Sequence, residues 1–463
     1  MQRYSTMDAP AAGTVSRPGA PADLIFRDLR ALLRLAGPVV ASRLGVMTMG
    51  LTDTIVVGRY SAVQLGFHAL GWAPTAVVLT VALSLLSGLP VMTSRVIGEG
   101  RRHAAGAVLR RGLVYGAQIG LVSTVVLVAG GPFLLHHVGL ATNLADGASR
   151  VLIVFSLSLV PLSLGTAASM WLEALGKPGV ATAMMWLANL VNLAFDLVLV
   201  PGHFGLPALG AIGGACATLG SRTALMAALI GYIALMGEAR GLGVFDKPPR
   251  ERAAEAEQRK IGYGAGASGF FEVASFAGMN IVAGWIGALA IAGYTVVMNV
   301  ASLVFMVPLG LATATSVLVG KAYGARDPRG VNRAGAIGFA VTAAFGVAVS
   351  LLVWPLAGPI AAAYTTDPRV MVMGKAAVLL SCLFFLPDAL QVVVAQSLRA
   401  RGDVWVPSGT HFVSYILVMA PLAWLLAIPY GLGVNGIVWS VIASSLLSAG
   451  LLLGRFWMLR RPA

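Results

Sequence analysis

Cysteine and charged residues are both scarce in this chain. The 463 residues include two cysteines, Cys216 and Cys382, and each lies within an apolar stretch. A pair placed in this way indicates neither a disulfide framework nor a cysteine metal site. Charged residues make up 11% of the chain, whereas a soluble protein carries about a quarter. The composition therefore excludes an ordinary soluble protein.

The short motifs of the common enzyme classes are also missing. The sequence contains no Walker phosphate loop, no nucleophile elbow and no HExxH zinc motif. Its six histidines lie towards the ends of apolar segments, without the spacing of metal ligands. We therefore expect no catalytic residues, no structural metal and no cofactor beyond a transported ion. An integral-membrane enzyme is the least favoured function.

The net charge of +14 does not indicate nucleic acid binding. The basic residues are confined to short gaps between apolar blocks, and no basic face is interleaved with aromatic side chains on a soluble domain. This placement is typical of a topology signal in a membrane protein. The expected surroundings of the chain are membrane lipid rather than nucleic acid.

What the sequence has in abundance is apolar blocks of about 20 residues, each long enough to cross a ~30 Å hydrocarbon core. They predict an all-α polytopic membrane protein with twelve transmembrane helices. The predicted segments are 32–57, 70–94, 109–133, 150–172, 181–201, 211–236, 261–287, 291–319, 334–357, 371–397, 407–429 and 434–457.

The distribution of basic residues predicts the orientation. With the N-terminus inside, the inner gaps and tails hold 26 basic residues and the outer gaps hold 4. Such a bias places both termini in the cytoplasm. The polar residues 1–30 lack the apolar stretch and cleavage site of a signal peptide, so we expect a flexible tail. Few lysines (five against 27 arginines) and many alanines suggest a GC-rich bacterial source, and hence the bacterial inner membrane.

The two halves of the chain repeat each other. The pattern Gly-x4-Thr-Ser-x3-Gly at 88–98 recurs at 310–320, an offset of 222, and residues 161–176 match 387–402 at an offset of 226. With six crossings in each half, the repeats enter the membrane from the same side. Parallel repeats of this kind predict a transporter that binds its substrate between the halves and rocks one half against the other.

The longest charged loop separates these halves. Residues 237–260 carry acidic and basic side chains and the pair Pro248-Pro249. The predicted organisation is a flexible tail (1–30), an N-lobe with six helices (31–236), a cytoplasmic linker (237–260) and a C-lobe with six helices (261–463).

Two acids lie deep in the N-lobe segments. Asp53 lies late in the first segment, and Asp196 lies at a similar depth in the fifth. Asn189, Asn192 and Asp196 are spaced i, i+3, i+7 and share one helical face. Carboxylate and amide oxygens suit a small hard cation such as Na+, and two adjacent carboxyls would favour keeping a proton. A hydrogen-bonding stripe that joins helices is the alternative.

A second acidic cluster is expected in the C-lobe. Glu272 lies near the middle of the seventh segment and Asp388 near the middle of the tenth. Pro387 would kink that helix beside the acid, and Gln391 shares the face of Asp388. These acids are candidates for binding a cation or a cationic substrate. The alternative is a buried carboxyl hydrogen-bonded to a helix backbone, without a role in transport.

Two arginines also fall inside predicted segments. Arg43 lies about eleven residues into the first segment, and Arg222 lies in the sixth. Snorkelling or a buried ion pair explains such residues in most proteins. Snorkelling is awkward for Arg43, so a cavity-facing role is the alternative.

Five passages together resemble the multidrug and toxic compound extrusion (MATE) family, and the resemblance covers nearly all of residues 30–458. The passages lie at 38–58, 88–94, 192–207, 271–308 and 388–399. No single passage is diagnostic, but their order and spacing together are specific. The resemblance implies a twelve-helix, V-shaped exporter of cationic or amphipathic drugs, working in exchange for H+ or Na+ and by resemblance a monomer.

The resemblance also assigns roles to particular residues. Asp53, Asn192 and Asp196 are similar to the N-lobe ion site of the family, and Glu272 and Asp388 to the C-lobe acids of its NorM-like branch. Because the chain carries both sets of acids, the resemblance does not distinguish H+ from Na+ as the coupling ion. Arg43 and the string Leu-Arg-Ala-Arg-Gly-Asp at 398–403 depart from the family pattern. The absence of a second acid deep in the tenth segment weakens a C-lobe Na+ site and favours protons slightly.

The closest competing function is a lipid-linked saccharide flippase of the same broad fold. Such a protein needs cavity cations to meet pyrophosphate, and Arg43 and Arg222 are the only candidates. Four membrane acids against two arginines favour a cationic cargo. A channel ranks lower, because it would not need paired six-helix halves with carboxylates in each.

Overall fold

A computed structural model describes residues 21–247 and 251–460, and its side chains from residue 23. Within these ranges the chain is all-helical and has twelve helices of membrane-spanning length and composition. The predicted fold class is confirmed. The helices are α1 (Asp23–Tyr60), α2 (Ala62–Gly98), α3 (Arg102–His137), α4 (Thr142–Leu175), α5 (Pro178–Leu199), α6 (Ala211–Leu235), α7 (Arg252–Ile286), α8 (Ala288–Gly324), α9 (Pro328–Tyr364), α10 (Pro368–Ala400), α11 (Trp405–Ala427) and α12 (Val434–Met458).

The helices extend beyond the predicted apolar segments. The predicted tail reached residue 30, whereas α1 is already helical there, and its first turns bury Leu32, Leu35 and Ala36 against the C-lobe. Arg333 on α9 pairs with Asp28 and ties this end of α1 down. The linker is shorter than predicted, because α7 begins at Arg252. Residues 1–20 of the tail and the pair Pro248-Pro249 lie outside the described residues.

Three of the helices are interrupted inside the bundle. α2 breaks between Leu85 and Gly88, and α4 breaks at Ser158. In α11, residues Phe412–Met419 form a π-helical segment. Where α4 breaks, the Thr124 hydroxyl of α3 donates to the freed carbonyl of Ser156 at 2.7 Å. Such interruptions survive in a membrane only where neighbouring groups satisfy the backbone, and they recur at functional sites.

The first six helices pack against one another, as do the last six, and we keep the predicted names N-lobe and C-lobe for them. Because the number of crossings is even, the start of α1 and the end of α12 lie at the same end of the bundle, here called the terminal face. Along the half of the molecule next to this face, α2 packs against α7 and α8, and α1 against α8.

Glycines allow the closest approach between the lobes. A Cβ at Gly98 of α2 would overlap with the Lys321 carbonyl, and one at Gly320 of α8 would overlap with the Ser94 hydroxyl. A Cβ at Gly324 would overlap with the Arg95 carbonyl. These backbones touch because the residues lack side chains, as in small-residue contacts between membrane helices generally. We call this α2–α8 contact the glycine seam.

Near the glycine seam, Arg95 of the N-lobe forms hydrogen bonds with the C-lobe. Arg95 Nε donates to the Ala400 carbonyl and Nη2 to the Arg399 carbonyl, both at 3.0 Å, at the carbonyl end of α10. Its guanidinium also pairs with Glu257 at 3.4 Å and lies 5.0 Å from the Tyr323 ring centre. A cation at a helix C-terminus is stabilised by the orphan carbonyls there. The lobes are therefore closed together at the terminal face.

Candidate ion and substrate sites

The N-lobe site is built where α1, α5 and α6 meet. Asn192 of α5 donates from Nδ2 to Asp53 Oδ1 of α1 at 2.9 Å, and Thr218 of α6 donates from its hydroxyl to Asp53 Oδ2. Both oxygens of Asp53 therefore accept a hydrogen bond. Asp196 lies one turn along α5 from Asn192, and its carboxyl is next to that of Asp53. The structure thus brings the two predicted acids and Asn192 together.

Within the described ranges, three oxygens of this site receive no hydrogen bond. Asp196 Oδ1, Asp196 Oδ2 and Asn192 Oδ1 are buried and have no hydrogen-bond partner among the described residues. Asp53 is 2% exposed, and Asn192 and Asp196 are fully buried. Buried polar groups are normally satisfied, because leaving one bare costs roughly 1–3 kcal/mol. Bare carboxylate and amide oxygens beside a second carboxylate fit a small hard cation or a shared proton.

Asn189 does not join this site. Its Nδ2 donates to the Gly45 carbonyl at 3.0 Å and to the Met185 carbonyl at 2.9 Å. The Gly45 bond crosses from α5 to α1, where Gly45 lets the two helices approach. Asn189 therefore holds these helices together, as the hydrogen-bonding alternative for the stripe describes. Its carbonyl oxygen is buried without a partner within the described residues.

α6 presents a stripe of three residues to the site, at spacing i, i+4, i+8. At Gly214, a Cβ would lie 3.7 Å from Asp196 Oδ1 and 3.7 Å from the ring of His68. Thr218 binds Asp53, and Arg222 follows one turn later. His68 of α2 is 4% exposed, and its Nε2 has no partner among the described residues. The stripe thus brings one hydroxyl donor to Asp53, places Gly214 between Asp196 and His68, and sets Arg222 one turn beyond Thr218.

Neutral groups hold the Arg222 guanidinium. Its Nη1 donates to the Ser158 hydroxyl at 2.7 Å, at the break in α4, and its carbon Cζ lies 5.7 Å from the Trp72 ring centre. Trp72 and His68 both contact the edge of Phe155. Arg222 is 6% exposed, so it does not snorkel. The buried ion pair predicted as one explanation is replaced by a hydrogen bond and an aromatic face.

The C-lobe acids are more open than the N-lobe pair. Glu272 of α7 and Asp388 of α10 are half-buried and lie within electrostatic range of each other. Ser445 of α12 donates to Asp388 Oδ1 at 3.5 Å. Gln391 is fully buried one turn from Asp388, and both polar atoms of its side chain lack a partner among the described residues. These residues offer a partly exposed acidic surface.

Further polar side chains surround these acids. Arg399 Nη2 donates to the Ser268 hydroxyl at 2.6 Å, and Ser268 lies one turn from Glu272 on the same face of α7. His411 and Tyr415 lie at the π-helical segment of α11 with ring centres 5.5 Å apart. Both ring nitrogens of His411 and the Tyr415 hydroxyl are buried without a partner in the described part of the chain.

Arg43 forms an ion pair rather than facing a cavity alone. Its Nη2 lies 3.2 Å from Glu173 Oε2 on α4, and Ser169 donates to Glu173 Oε1 at 3.1 Å. The Glu173 side chain is 1% exposed and that of Arg43 is 18% exposed. The buried-pair explanation therefore applies to Arg43, and its partner Glu173 is a further buried acid, one residue beyond the predicted fourth segment.

We expect Arg43→Ala to lower the melting temperature, because it leaves Glu173 buried without its cation. Removing one member of a buried pair costs roughly 3–5 kcal/mol, whereas removing both often costs little. Thermal unfolding of the purified protein in detergent measures the effect. Arg43→Met combined with Glu173→Met should recover most of the loss. A single variant as stable as the wild type would contradict the assignment.

Sequence reasoning missed Thr218, His68, Arg399 and Tyr415. The spacing Gly214, Thr218, Arg222 was a detectable signal, since it marks one polar face on an apolar helix. Nothing in the sequence brings His68 and Asp196 to opposite sides of Gly214, because the two residues belong to helices far apart in the chain. His68 and His411 lie near the starts of α2 and α11, as expected for histidines towards segment ends, and both side chains are buried.

Comparisons with known proteins agree with this architecture. The family model MatE matches twice, at residues 38–198 and 265–425. A probable multidrug resistance protein NorM from Caulobacter vibrioides is 58% identical over 99% of this chain and 98% of its own length. Another from Mesorhizobium japonicum is 30% identical over 95% of this chain and 96% of its own.

Solved structures of low sequence identity share the fold. The crystal structure of the eukaryotic MATE transporter AtDTX14 has a TM-score of 0.87 at 18% identity, covering 94% of this chain and 97% of its own. A structure described as MATE in the bent conformation has a TM-score of 0.84 at 19% identity, covering 95% and 98%. From the double match of the family model and the full-length relatives, we conclude that this chain belongs to the MATE family, a family of transporters rather than enzymes, among its NorM-like members.

Proposed function

We propose that this protein is a cation-coupled exporter that exchanges H+ or Na+ for cationic amphipathic drugs by alternating access. The observation that carries the proposal is the N-lobe site, where three buried oxygens of Asp196 and Asn192, without a hydrogen-bond partner in the described part of the chain, lie beside the Asp53 carboxylate. Ionised groups are expensive inside a membrane unless something neutralises them. A coupling cation performs this role in each cycle. The relatives named multidrug resistance proteins support the drug cargo.

The C-lobe acids are proposed to meet the drug. Glu272 and Asp388 are partly exposed, whereas the N-lobe acids are sealed, so a bulky cation reaches only the former. A half-buried carboxylate attracts an organic cation through a lower effective dielectric than water provides. The drug and the coupling ion are thus assigned to different lobes. Exchange follows if binding in one lobe alters how the lobes meet at the terminal face.

The proposed setting is the bacterial inner membrane, with the terminal face in the cytoplasm and the protein working as a monomer. The excess of basic residues at that side supports the orientation. In this orientation, the closed terminal face shuts the drug site off from the cytoplasm. Twelve spanning helices make the protein multi-pass.

Ethidium efflux from proteoliposomes tests the function. Purified protein is reconstituted, and efflux is followed under an imposed pH gradient and then, separately, under a Na+ gradient. Efflux that needs the pH gradient establishes H+ coupling, and efflux that needs Na+ makes the N-lobe oxygens metal ligands. No efflux under either gradient would overturn the proposal and favour a lipid-linked saccharide flippase.

We expect Glu272→Gln and Asp388→Asn to weaken export of cationic drugs more than export of neutral ones. Each substitution removes a negative charge but keeps the shape of the side chain. Initial efflux rates of a cationic and a neutral dye in the same proteoliposomes measure the difference. Equal losses for both cargo classes would show that these residues do not recognise charge.

A further inference from the structure

Arg222 is a buried arginine that belongs to the N-lobe site by position but binds neither acid directly. It follows Thr218 by one turn of α6, and Thr218 donates to Asp53. It also lies within electrostatic range of Asp53. The Ser158 hydroxyl and the Trp72 ring hold its guanidinium in place. Because a guanidinium stays charged in proteins even when buried, Arg222 is a permanent positive charge in a site built from two carboxylates.

The charges of the site can be counted completely among the described residues packed around it. Asp53 on α1 and Asp196 on α5 contribute two negative charges when ionised, and Arg222 on α6 contributes one positive charge. His68 on α2 is 4% exposed and packs against the Phe155 ring, and burial disfavours the charged imidazole, so it is counted as neutral. Arg43 and Glu173 neutralise each other. One net negative charge remains.

We propose that Arg222 is a fixed internal cation of the N-lobe site. Its charge limits the number of cations that the site binds to one monovalent cation per transport cycle. The inference rests on the proposed cation-coupled function and specifies its stoichiometry. With Arg222 in place, one proton or one Na+ completes neutralisation of the two carboxylates. Without Arg222, the sealed site holds two uncompensated charges and needs two cations, because buried like charges in contact cannot both stay ionised and unpaired.

The purely structural alternative is that Arg222 only joins α6 to the break in α4 and to α2. In that case its removal would weaken packing and lower the transport rate, but the number of ions exchanged would not change. The ion count therefore separates a charge-setting role from a packing role.

The experiment measures ions exchanged per ethidium in proteoliposomes. The ethidium gradient at which net flux stops is determined against imposed ion gradients and membrane potentials, for wild type, Arg222→Gln and Arg222→Lys. We expect Arg222→Gln to exchange one more cation per ethidium than the wild type, and Arg222→Lys to exchange the same number as the wild type. An unchanged ion count in Arg222→Gln overturns the inference. A wild type that shows no ion-coupled flux instead overturns the proposed function.

Stability provides a second readout that does not require transport. In Arg222→Gln, protons replace the missing charge, so the native state binds more protons and its stability falls as the pH rises. We expect the melting temperature of Arg222→Gln to rise more steeply than that of the wild type between pH 8 and pH 5.5. An identical pH response overturns the inference. Failure of Arg222→Gln to fold even at pH 5.5 does so as well, because a bound proton should then replace the guanidinium.

Discussion

Asp53→Asn is expected to abolish ion-coupled export while the protein still folds and reaches the membrane. The substitution keeps the size of the side chain but removes the carboxylate to which Asn192 and Thr218 donate. The coupling cation loses a carboxylate ligand, and a charged interaction of roughly 1.5–3 kcal/mol corresponds to about a 12- to 150-fold change in affinity. With Arg222 still present, Asp196 alone balances the guanidinium, and no net charge remains to bind a cation.

Ethidium efflux under the gradient that drives the wild type measures the result. Asp23→Asn is the matched control, since Asp23 is exposed at the start of the same helix. The control should export like the wild type, and both variants should elute as folded protein in size-exclusion chromatography. Coupled export by Asp53→Asn at the wild-type rate would remove Asp53 from the ion site.

The second large effect is expected at the glycine seam. Gly98→Ala places a methyl group where the Lys321 carbonyl lies, and Gly324→Ala does the same at the Arg95 carbonyl. Backbone atoms cannot rotate away, so the lobes must separate at the terminal face. Overpacking of this kind costs roughly 1–3 kcal/mol, which lowers the population of the closed state by about 5- to 150-fold. We expect export to fall by at least ~10-fold.

Spin labels on the two lobes report the separation directly. Arg102 and Arg326 are exposed on α3 and after α8, so cysteines at these positions carry the labels in a protein without Cys216 and Cys382. The distance distribution should shift to longer values in Gly98→Ala. Gly454→Ala is the control, because a Cβ there meets no atom within 4 Å. A seam variant with the distances and efflux of the wild type would show that close contact at the terminal face is dispensable.

Much of the N-lobe site was predictable, because acidic residues stand out in apolar segments. Placing an ionised aspartate within the membrane costs free energy, so the depth of Asp53 and Asp196 in their segments alone identified them as functional candidates. The i, i+3, i+7 spacing also placed Asn192 with Asp196 correctly. The same spacing assigned Asn189 to the acids, whereas the structure gives it carbonyls of α1 and α5 as partners. Helical periodicity identifies a shared face but does not say which part of that face meets which neighbour.

The surroundings of the two buried arginines were harder to predict than those of the acids. From the sequence, snorkelling or a buried ion pair could explain both Arg43 and Arg222. In the structure, Arg43 forms an ion pair with Glu173, whereas the Arg222 guanidinium is held by Ser158 and Trp72. The chain distances between these partners run from tens to more than a hundred residues. Which helices become neighbours depends on the packing of the whole bundle, and no local pattern records it.

The twelve apolar helices, the repeated halves and the acids within the membrane are all recognisable from the sequence alone. These properties follow from hydrophobic length, repetition and the cost of burying charge, all of which are local or additive along the chain. Tertiary packing brings Asp53 and Asp196 together, sets Arg222 against Ser158 and Trp72, and closes the terminal face through Arg95 and the glycine seam. Charge pairing and backbone contact act over a few ångströms in space, between residues that the chain separates widely, so no local pattern in the sequence predicts them.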